Sequence, residues 1–145
     1  GVTSSNNLLG HGVRIETSGS AFILSTLGKN TFDHNGYAGL KVDTGGSVVL
    51  SNVQANSNAA PLVTHAGIYI YGTGLSSNVT LTNITASGNG SAGVYIDTTG
   101  SVTWTKGVVN KNGTAIANYG GVYINTWRGI LKPSWYLRGS SKAYC

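Results

Sequence analysis

A tetrapeptide repeat constrains the fold of this chain more than any other feature. Glycine, an apolar residue, a variable residue and a second apolar residue recur five times in that order, and the five glycines are 27, 28, 26 and 28 residues apart. The five copies are Gly12-Val13-Arg14-Ile15, Gly39-Leu40-Lys41-Val42, Gly67-Ile68-Tyr69-Ile70, Gly93-Val94-Tyr95-Ile96 and Gly121-Val122-Tyr123-Ile124. Apolar residues at every second position are typical of a strand with one buried face. Each repeat therefore predicts a β-strand at its start.

Each repeat also carries signals for two further short strands. The second strand follows a polar turn, at Ala21-Phe22-Ile23-Leu24, Val48-Val49-Leu50, Val79-Thr80-Leu81 and Val102-Thr103-Trp104, and the third passes through Val53, Ile84 and Val108-Val109. A period of roughly 27 residues is too short for β-α-β units, and no helical periodicity competes with the strand pattern. The sequence predicts an all-β fold, a single-stranded right-handed parallel β-helix of about five coils with three short strands per coil.

The repeat resembles the right-handed parallel β-helix of pectate lyases, polygalacturonases, phage tailspikes and bacterial surface proteins. The resemblance covers residues 8–126 and rests on the Gly-Val-x-Ile strand, the Val-x-Leu-x-Asn strand and the Asn-Gly turn. It implies the fold but not the function, since the same coil serves enzymes, adhesins and fibres. Gly10-His11-Gly12 and Val13-Arg14-Ile15-Glu16 are similar to short elements of polygalacturonases, but the paired aspartates of that family are missing, so the resemblance does not carry catalysis onto them.

Composition bears on location and on cofactors. Only 9% of the residues are charged while 22 are glycine, so neutral hydrogen-bonding groups must provide solubility, and we expect a secreted or cell-surface protein. The longest apolar runs fall well short of the roughly 20 residues that span a bilayer, so we expect no membrane insertion. The single cysteine, Cys145, excludes an internal disulfide. His11, His34 and His65 fall in separate coils, so neither a metal site nor a cofactor is predicted.

One asparagine recurs in the turn before the first strand of the coil. The four aligned residues are Asn35, Asn58, Asn89 and Asn112. Asparagine tolerates left-handed backbone angles and can hydrogen-bond the main chain. Stacked from coil to coil, these residues predict an internal ladder of amide side chains, with independent surface turns as the alternative.

The outward positions of the first strands should form two columns. The first reads Arg14, Lys41, Tyr69, Tyr95, Tyr123 and the second reads Glu16, Asp43, Tyr71, Asp97, Asn125. The tyrosines, Tyr69, Tyr71, Tyr95 and Tyr123, are candidate ligand-binding residues because their flat faces and polar tips suit pyranose rings or a protein partner. Simple packing between neighbouring strands is the alternative interpretation.

The acids of the second column are an alternative catalytic set. With coils about 4.8 Å apart, Glu16 and Asp43 would be near the roughly 5 Å of a retaining glycosidase. Asp43 and Asp97, two coils and thus about 9.6 Å apart, would be close to the upper end of the roughly 6.5 to 9.5 Å range of an inverting one. However, any solenoid with acids in one column gives such spacings, and Arg14 and Lys41 lie alongside as ion partners. A solvated charge network is the favoured interpretation.

After Thr126 the repeat ends in a basic, aromatic segment, residues 127–145, which we separate from the coils of residues 1–126. This segment contributes four of the nine basic residues. Its candidate docking or capping residues are Trp127, Arg128, Trp135, Tyr136 and Arg138. Capping the open end, or docking on a neighbouring subunit, is favoured over nucleic-acid binding, because a terminal coil must cover an apolar end and an open strand edge.

These observations favour a noncatalytic extracellular module that forms a surface fibre or binds a glycan or a protein partner. Self-association through the solenoid ends fits this hypothesis. A polysaccharide-degrading enzyme, a pectin-type hydrolase or lyase using Glu16, Asp43 and Asp97, is the alternative.

Overall fold

The computed structural model describes residues 1–58, 66–113 and 120–127, together with the backbone of residues 131–133. Strands follow one another along the described chain. They are β1 (Val13–Thr17), β2 (Ala21–Ile23), β3 (Asn30–Thr31), β4 (Leu40–Thr44), β5 (Val48–Gln54), β6 (Ile68–Gly72), β7 (Val79–Ser87), β8 (Val94–Thr98), β9 (Val102–Asn110), β10 (Val122–Thr126) and β11 (Leu131–Pro133). No helix that could cross a membrane is found in the part of the chain that the structure describes.

Two parallel sheets wind along the solenoid. The first sheet has the order β1-β4-β6-β8-β10, so its five strands are the five predicted repeat strands. The second sheet has the order β11-β9-β7-β5-β2, with β3 also pairing with β5. Consecutive first-sheet strands are separated by one coil, which gives about four turns, slightly fewer than the five coils expected. The predicted parallel β-helix is confirmed.

The predicted second and third strands of the central coils run together as single bent strands. Their bends lie at Asn52 in β5, Asn83 in β7 and Lys106 in β9, each with a positive φ of 56°, 54° and 61° respectively. One residue with left-handed backbone angles turns the chain while the parallel pairing continues on both sides of it. The Nδ2 of Asn83 donates to Oδ1 of Asn52 at 2.6 Å, which joins two of these bends.

The core consists of apolar side chains stacked in register from coil to coil. In β4 and β8 the burial alternates along the strand, because every second side chain points inward. Leu40, Ile68, Val94 and Val122 form one inward column, and Val42, Ile70, Ile96 and Ile124 form the next. Burying each aliphatic side chain stabilises the fold by roughly 1.5 to 3 kcal/mol. These columns fix which side chains face outward.

Strand β9 has a tryptophan and a glycine at two inward positions where the neighbouring strand β7 has aliphatic residues. Trp104 lies beside Leu81, and Gly107 lies beside Ile84 in the next position of the same layer. A Cβ on Gly107 would lie 2.6 Å from Nε1 of Trp104, so the glycine makes room for the buried indole. The large residue therefore fills the volume that the small one leaves.

Substituting either Trp104 or Gly107 alone should destabilise the protein, and substituting both together should restore its stability. Trp104→Leu leaves a cavity and is expected to cost about 2 kcal/mol, while Gly107→Ile forces a clash with the indole. The double variant recreates the Leu81 and Ile84 arrangement, so a double-mutant cycle from urea denaturation should give a strongly favourable coupling energy. Additive effects of the two substitutions would contradict this account of the layer.

Candidate functional site

The outward side chains of β1, β4, β6, β8 and β10 form one surface, which we call the first-sheet face. Strand pairing places Arg14, Lys41, Tyr69, Tyr95 and Tyr123 in one column and Glu16, Asp43, Tyr71, Asp97 and Asn125 in the other. The registers are those predicted from the repeat. Adjacent members of a column are about 4.8 Å apart, which is the strand spacing.

Three tyrosines of the first column stack on one another. The ring centroids of Tyr69 and Tyr95 are 5.1 Å apart with an interplanar angle of 13°, and those of Tyr95 and Tyr123 are 4.6 Å apart at 11°. Nζ of Lys41 lies 5.6 Å from the centroid of the Tyr69 ring and continues the stack as a cation. Because these rings cover one another's faces, the stack offers a ligand mainly its ring edges and hydroxyl groups.

The hydroxyl of Tyr69 is held in its protonated form. Burial is the main cause that raises its pKa, and the carboxylates of Asp43 and Asp97 and the hydroxyl of Tyr71 raise it further. A phenol beside two carboxylates stays neutral because ionising it would place a third negative charge among them. Tyr69 is therefore a hydrogen-bond donor on this face.

Two of the three candidate catalytic acids are in ion pairs within their own strands. Arg14 contacts Glu16, and Nζ of Lys41 lies 3.1 Å from Oδ2 of Asp43. Both pairs follow from alternation, since residues i and i+2 point to the same side of a strand. Such ion pairs are what a solvated charge network would contain, and the sequence analysis favoured that interpretation over a hydrolase site.

Asp97 has different neighbours from the other two acids. Its Oδ1 accepts hydrogen bonds from Nε1 of Trp127 at 2.6 Å and from Nδ2 of Asn125 at 3.3 Å. Its Oδ2 accepts no hydrogen bond from the residues that the structure describes. One carboxylate oxygen is therefore fixed by two donors while the other is available to a ligand.

Two exposed aromatic side chains flank Asp97. Tyr71 precedes it in the same column and is 42% exposed, and Trp127 is 70% exposed. Within the described residues, Tyr71 stacks on no other aromatic ring. Trp127 continues the outward positions of Tyr123 and Asn125 and contacts Asp97, and its predicted docking or capping role stays a prediction. The two-residue period of the strand could have predicted that Trp127 lies on this face. It could not have predicted the contact between Trp127 and the Asp97 carboxylate.

A shallow, open depression of about 630 Å³ lies on the other side of Tyr71. Its lining includes Glu16, Lys41, Asp43, Tyr69, Tyr71 and Thr73. The depression, Tyr71, Asp97 and Trp127 thus form one continuous strip across the first-sheet face, which we call the binding strip.

The asparagines predicted to form a ladder are joined by hydrogen bonds. Nδ2 of Asn35 donates to Oδ1 of Asn58 at 3.0 Å, Asn58 donates to Asn89 at 3.0 Å, and Asn89 donates to Asn112 at 2.9 Å. Each of the same three donors also gives its backbone N–H to the same oxygen. Asn7, which the alignment of turns did not include, extends this asparagine ladder by donating to Asn35 at 2.8 Å.

The remaining candidate residues are the histidines and the residues of the C-terminal segment. Among residues 1–58, 66–113 and 120–127, no group of three or more potential metal ligands is found, and His11 packs instead against the ring of Tyr37. Arg128, Trp135, Tyr136, Arg138 and Cys145 lie outside the described residues. Residues 59–65 and 114–119 also lie outside them.

The chain belongs to the family described as the right handed beta helix region. The family's sequence model matches residues 2–131, which is nearly the whole chain. No match was found among curated proteins or among solved structures. Family membership agrees with the parallel pairing of both sheets and defines a β-helix module.

Proposed function

We propose that this chain is a noncatalytic β-helix module that acts outside the reducing cytoplasm and binds a glycan along the binding strip. The observation that carries the proposal is the environment of Asp97. An available carboxylate oxygen lies between two exposed aromatic side chains, Tyr71 and Trp127. Sugars offer hydroxyl donors for such an oxygen and C–H faces for such rings.

The charge of the first-sheet face favours a neutral sugar or an amino sugar over a uronic acid. Its outward positions carry three acids, Glu16, Asp43 and Asp97, against two bases, Arg14 and Lys41. The acid closest to the two exposed rings has no cation of its own in the described structure. A carboxylate on the ligand would therefore be repelled at the centre of the strip.

The noncatalytic character rests on how the acids are engaged. Glu16 and Asp43 each have a cationic partner two residues away, and Asp97 is held by neutral donors. A glycosidase needs one carboxyl group that donates a proton and a second that attacks or activates water. Two carboxylates already neutralised by cations are poorly suited to those tasks, whereas they can still accept hydrogen bonds from sugar hydroxyls.

Binding should depend on Asp97 and Trp127. Asp97→Asn keeps an oxygen for Trp127 and Asn125 but replaces the available acceptor with an amide donor, so we expect the dissociation constant to rise about tenfold or more. Trp127→Ala should weaken binding to a similar degree by removing a stacking surface. Affinity electrophoresis against neutral, amino-sugar and acidic polysaccharides would identify the ligand, and calorimetry would measure the variants.

Tyr37→Ala is a matched control, because Tyr37 is 41% exposed but precedes β4 and is not one of the outward residues of the first-sheet strands. It should bind as the unaltered chain does. Absence of binding to every polysaccharide, or equal binding by Asp97→Asn, would overturn the proposal. Release of new chain ends that is lost in both Asp43→Ala and Asp97→Ala would instead establish the polysaccharide-degrading alternative.

A further inference from the structure

Asp97 differs from the other two acids of the first-sheet face in having no base beside it. In β1 and β4 a base lies two residues before the acid and forms an ion pair with it. In β8 that position is occupied by Tyr95. Among the residues that the structure describes, no basic side chain lies within ion-pair distance of Asp97. The column that supplies a counterion to two acids therefore supplies none to the third.

The groups that hold the Asp97 carboxylate in place are neutral. The indole N–H of Trp127 and the side-chain amide of Asn125 both donate to its Oδ1. They orient the carboxylate without cancelling its charge, and Oδ2 accepts no hydrogen bond from the described residues. A hydrogen bond from a charged donor would be the strongest that this oxygen could accept.

The negative charge of this region extends to the neighbouring column. Burial is the main cause that raises the pKa of the Tyr69 hydroxyl, and the carboxylates of Asp43 and Asp97 raise it further. Asp43 already has Lys41 as its counterion, so the uncompensated charge belongs to Asp97. A ligand that approaches the strip therefore meets a negative potential around this acid.

Two aromatic side chains make the same place suitable for an ammonium group. Tyr71 lies beside Asp97 in the pairing of β6 with β8, and Trp127 contacts the carboxylate. The faces of tyrosine and tryptophan rings attract ammonium ions, and the attraction grows as water is excluded. A carboxylate oxygen with two exposed rings beside it thus offers more to an ammonium group than to a neutral hydroxyl group.

We propose that the sugar bound along the binding strip is an amino sugar with a free, protonated amine, whose ammonium group binds Oδ2 of Asp97 between Tyr71 and Trp127. This inference rests on the proposed function and adds the charge of the ligand to it. N-acetylation would remove the positive charge and two of the three hydrogen-bond donors of the ammonium group. The acetylated sugar should therefore bind more weakly.

Three oligosaccharides of equal length and linkage, built from glucosamine, N-acetylglucosamine or glucose, test this inference. At about pH 5.5 the sugar amine is protonated and ordinary carboxyl groups are ionised. In calorimetry with the 145-residue chain, the glucosamine oligomer should bind about tenfold or more tightly than the other two. Added salt should narrow this difference, because the strip is open to solvent and salt screens exposed charges.

Replacing the carboxylate should remove the preference. Asp97→Asn keeps the shape of the side chain but not its charge, so the three sugars should bind with similar affinity. Glu16→Gln is the matched control, because it removes an acid from the same column three strand spacings away, about 14 Å, which exceeds the Debye length of about 8 Å. The Glu16→Gln protein should keep the preference for glucosamine.

The outcomes separate this inference from the proposed function. Equal binding of the glucosamine and N-acetylglucosamine oligomers would overturn the inference and leave glycan binding standing. A preference for glucosamine that persists in Asp97→Asn would also overturn it, because the ammonium group would then bind elsewhere. Failure of the glucosamine oligomer to bind would overturn the inference alone if another polysaccharide binds the strip, and both proposals if none does.

Discussion

Asn58→Ala is expected to lower the free energy of unfolding by about 4 kcal/mol. Asn58 is fully buried, and its side chain donates to the carbonyl of Phe32 and to Asn89 while accepting two hydrogen bonds from Asn35. Alanine removes all four, and it leaves the backbone N–H of Asn35 and the carbonyl of Phe32 buried without these partners, whereas Oδ1 of Asn89 still accepts the backbone N–H of residue 58. Each such group costs roughly 1 to 3 kcal/mol.

Urea denaturation followed by circular dichroism would measure this loss. Asn110→Ala is the control, because Asn110 is an exposed strand residue outside the ladder, and its replacement should change stability by less than about 0.5 kcal/mol. Equal effects of the two substitutions would show that the buried ladder does not stabilise the solenoid.

Gly67→Ala is expected to cost about 3 kcal/mol or more, because it presses a methyl group into the same ladder. A Cβ on Gly67 would lie 2.5 Å from Nδ2 of Asn89 and 2.8 Å from the carbonyl oxygen of Gly93. Gly39 and Gly93 have equivalent close contacts, with Nδ2 of Asn58 and Nδ2 of Asn112 respectively. The repeated glycine therefore lets the first strand begin directly against the asparagine side chains.

Thermal unfolding of Gly67→Ala beside Gly10→Ala would check this steric account. No atom lies within 4 Å of a Cβ built on Gly10, so alanine there should be tolerated. A Gly67→Ala protein as stable as the Gly10→Ala protein would mean that the ladder can move aside at little cost.

The repeat allowed most of the fold to be predicted, because stacking identical coils determines which residues become neighbours. The spacing of the five glycines sets the register of the first sheet, and the outward columns follow from strand alternation. Aligning the turns likewise identified Asn35, Asn58, Asn89 and Asn112. Asn7 was missed because it lies before Ala21–Ile23, the first of the second strands from which the turns were aligned.

The candidate site was less predictable, since it depends on side-chain directions rather than on register. The pattern gave a tyrosine column, but the near-parallel stacking of Tyr69, Tyr95 and Tyr123 is a packing result that alternation does not determine. The position of Trp127 beside Asp97 arises where the repeat ends, beyond the last strand with a counterpart. Sequence reasoning gave that tryptophan a docking or capping role, which stays a prediction, but it did not predict the hydrogen bond to Asp97.

The asparagine ladder has a direction, and that direction matters during synthesis. In each bond between two ladder amides the donor lies in the earlier coil and the acceptor in the following coil, from Asn7 to Asn35 and onward to Asn112. A ribosome releases the donors of each coil before it has made their acceptor. Each new coil therefore satisfies the coil made just before it, so we expect the solenoid to fold progressively from its amino-terminal end, with only the newest coil left incomplete at any time.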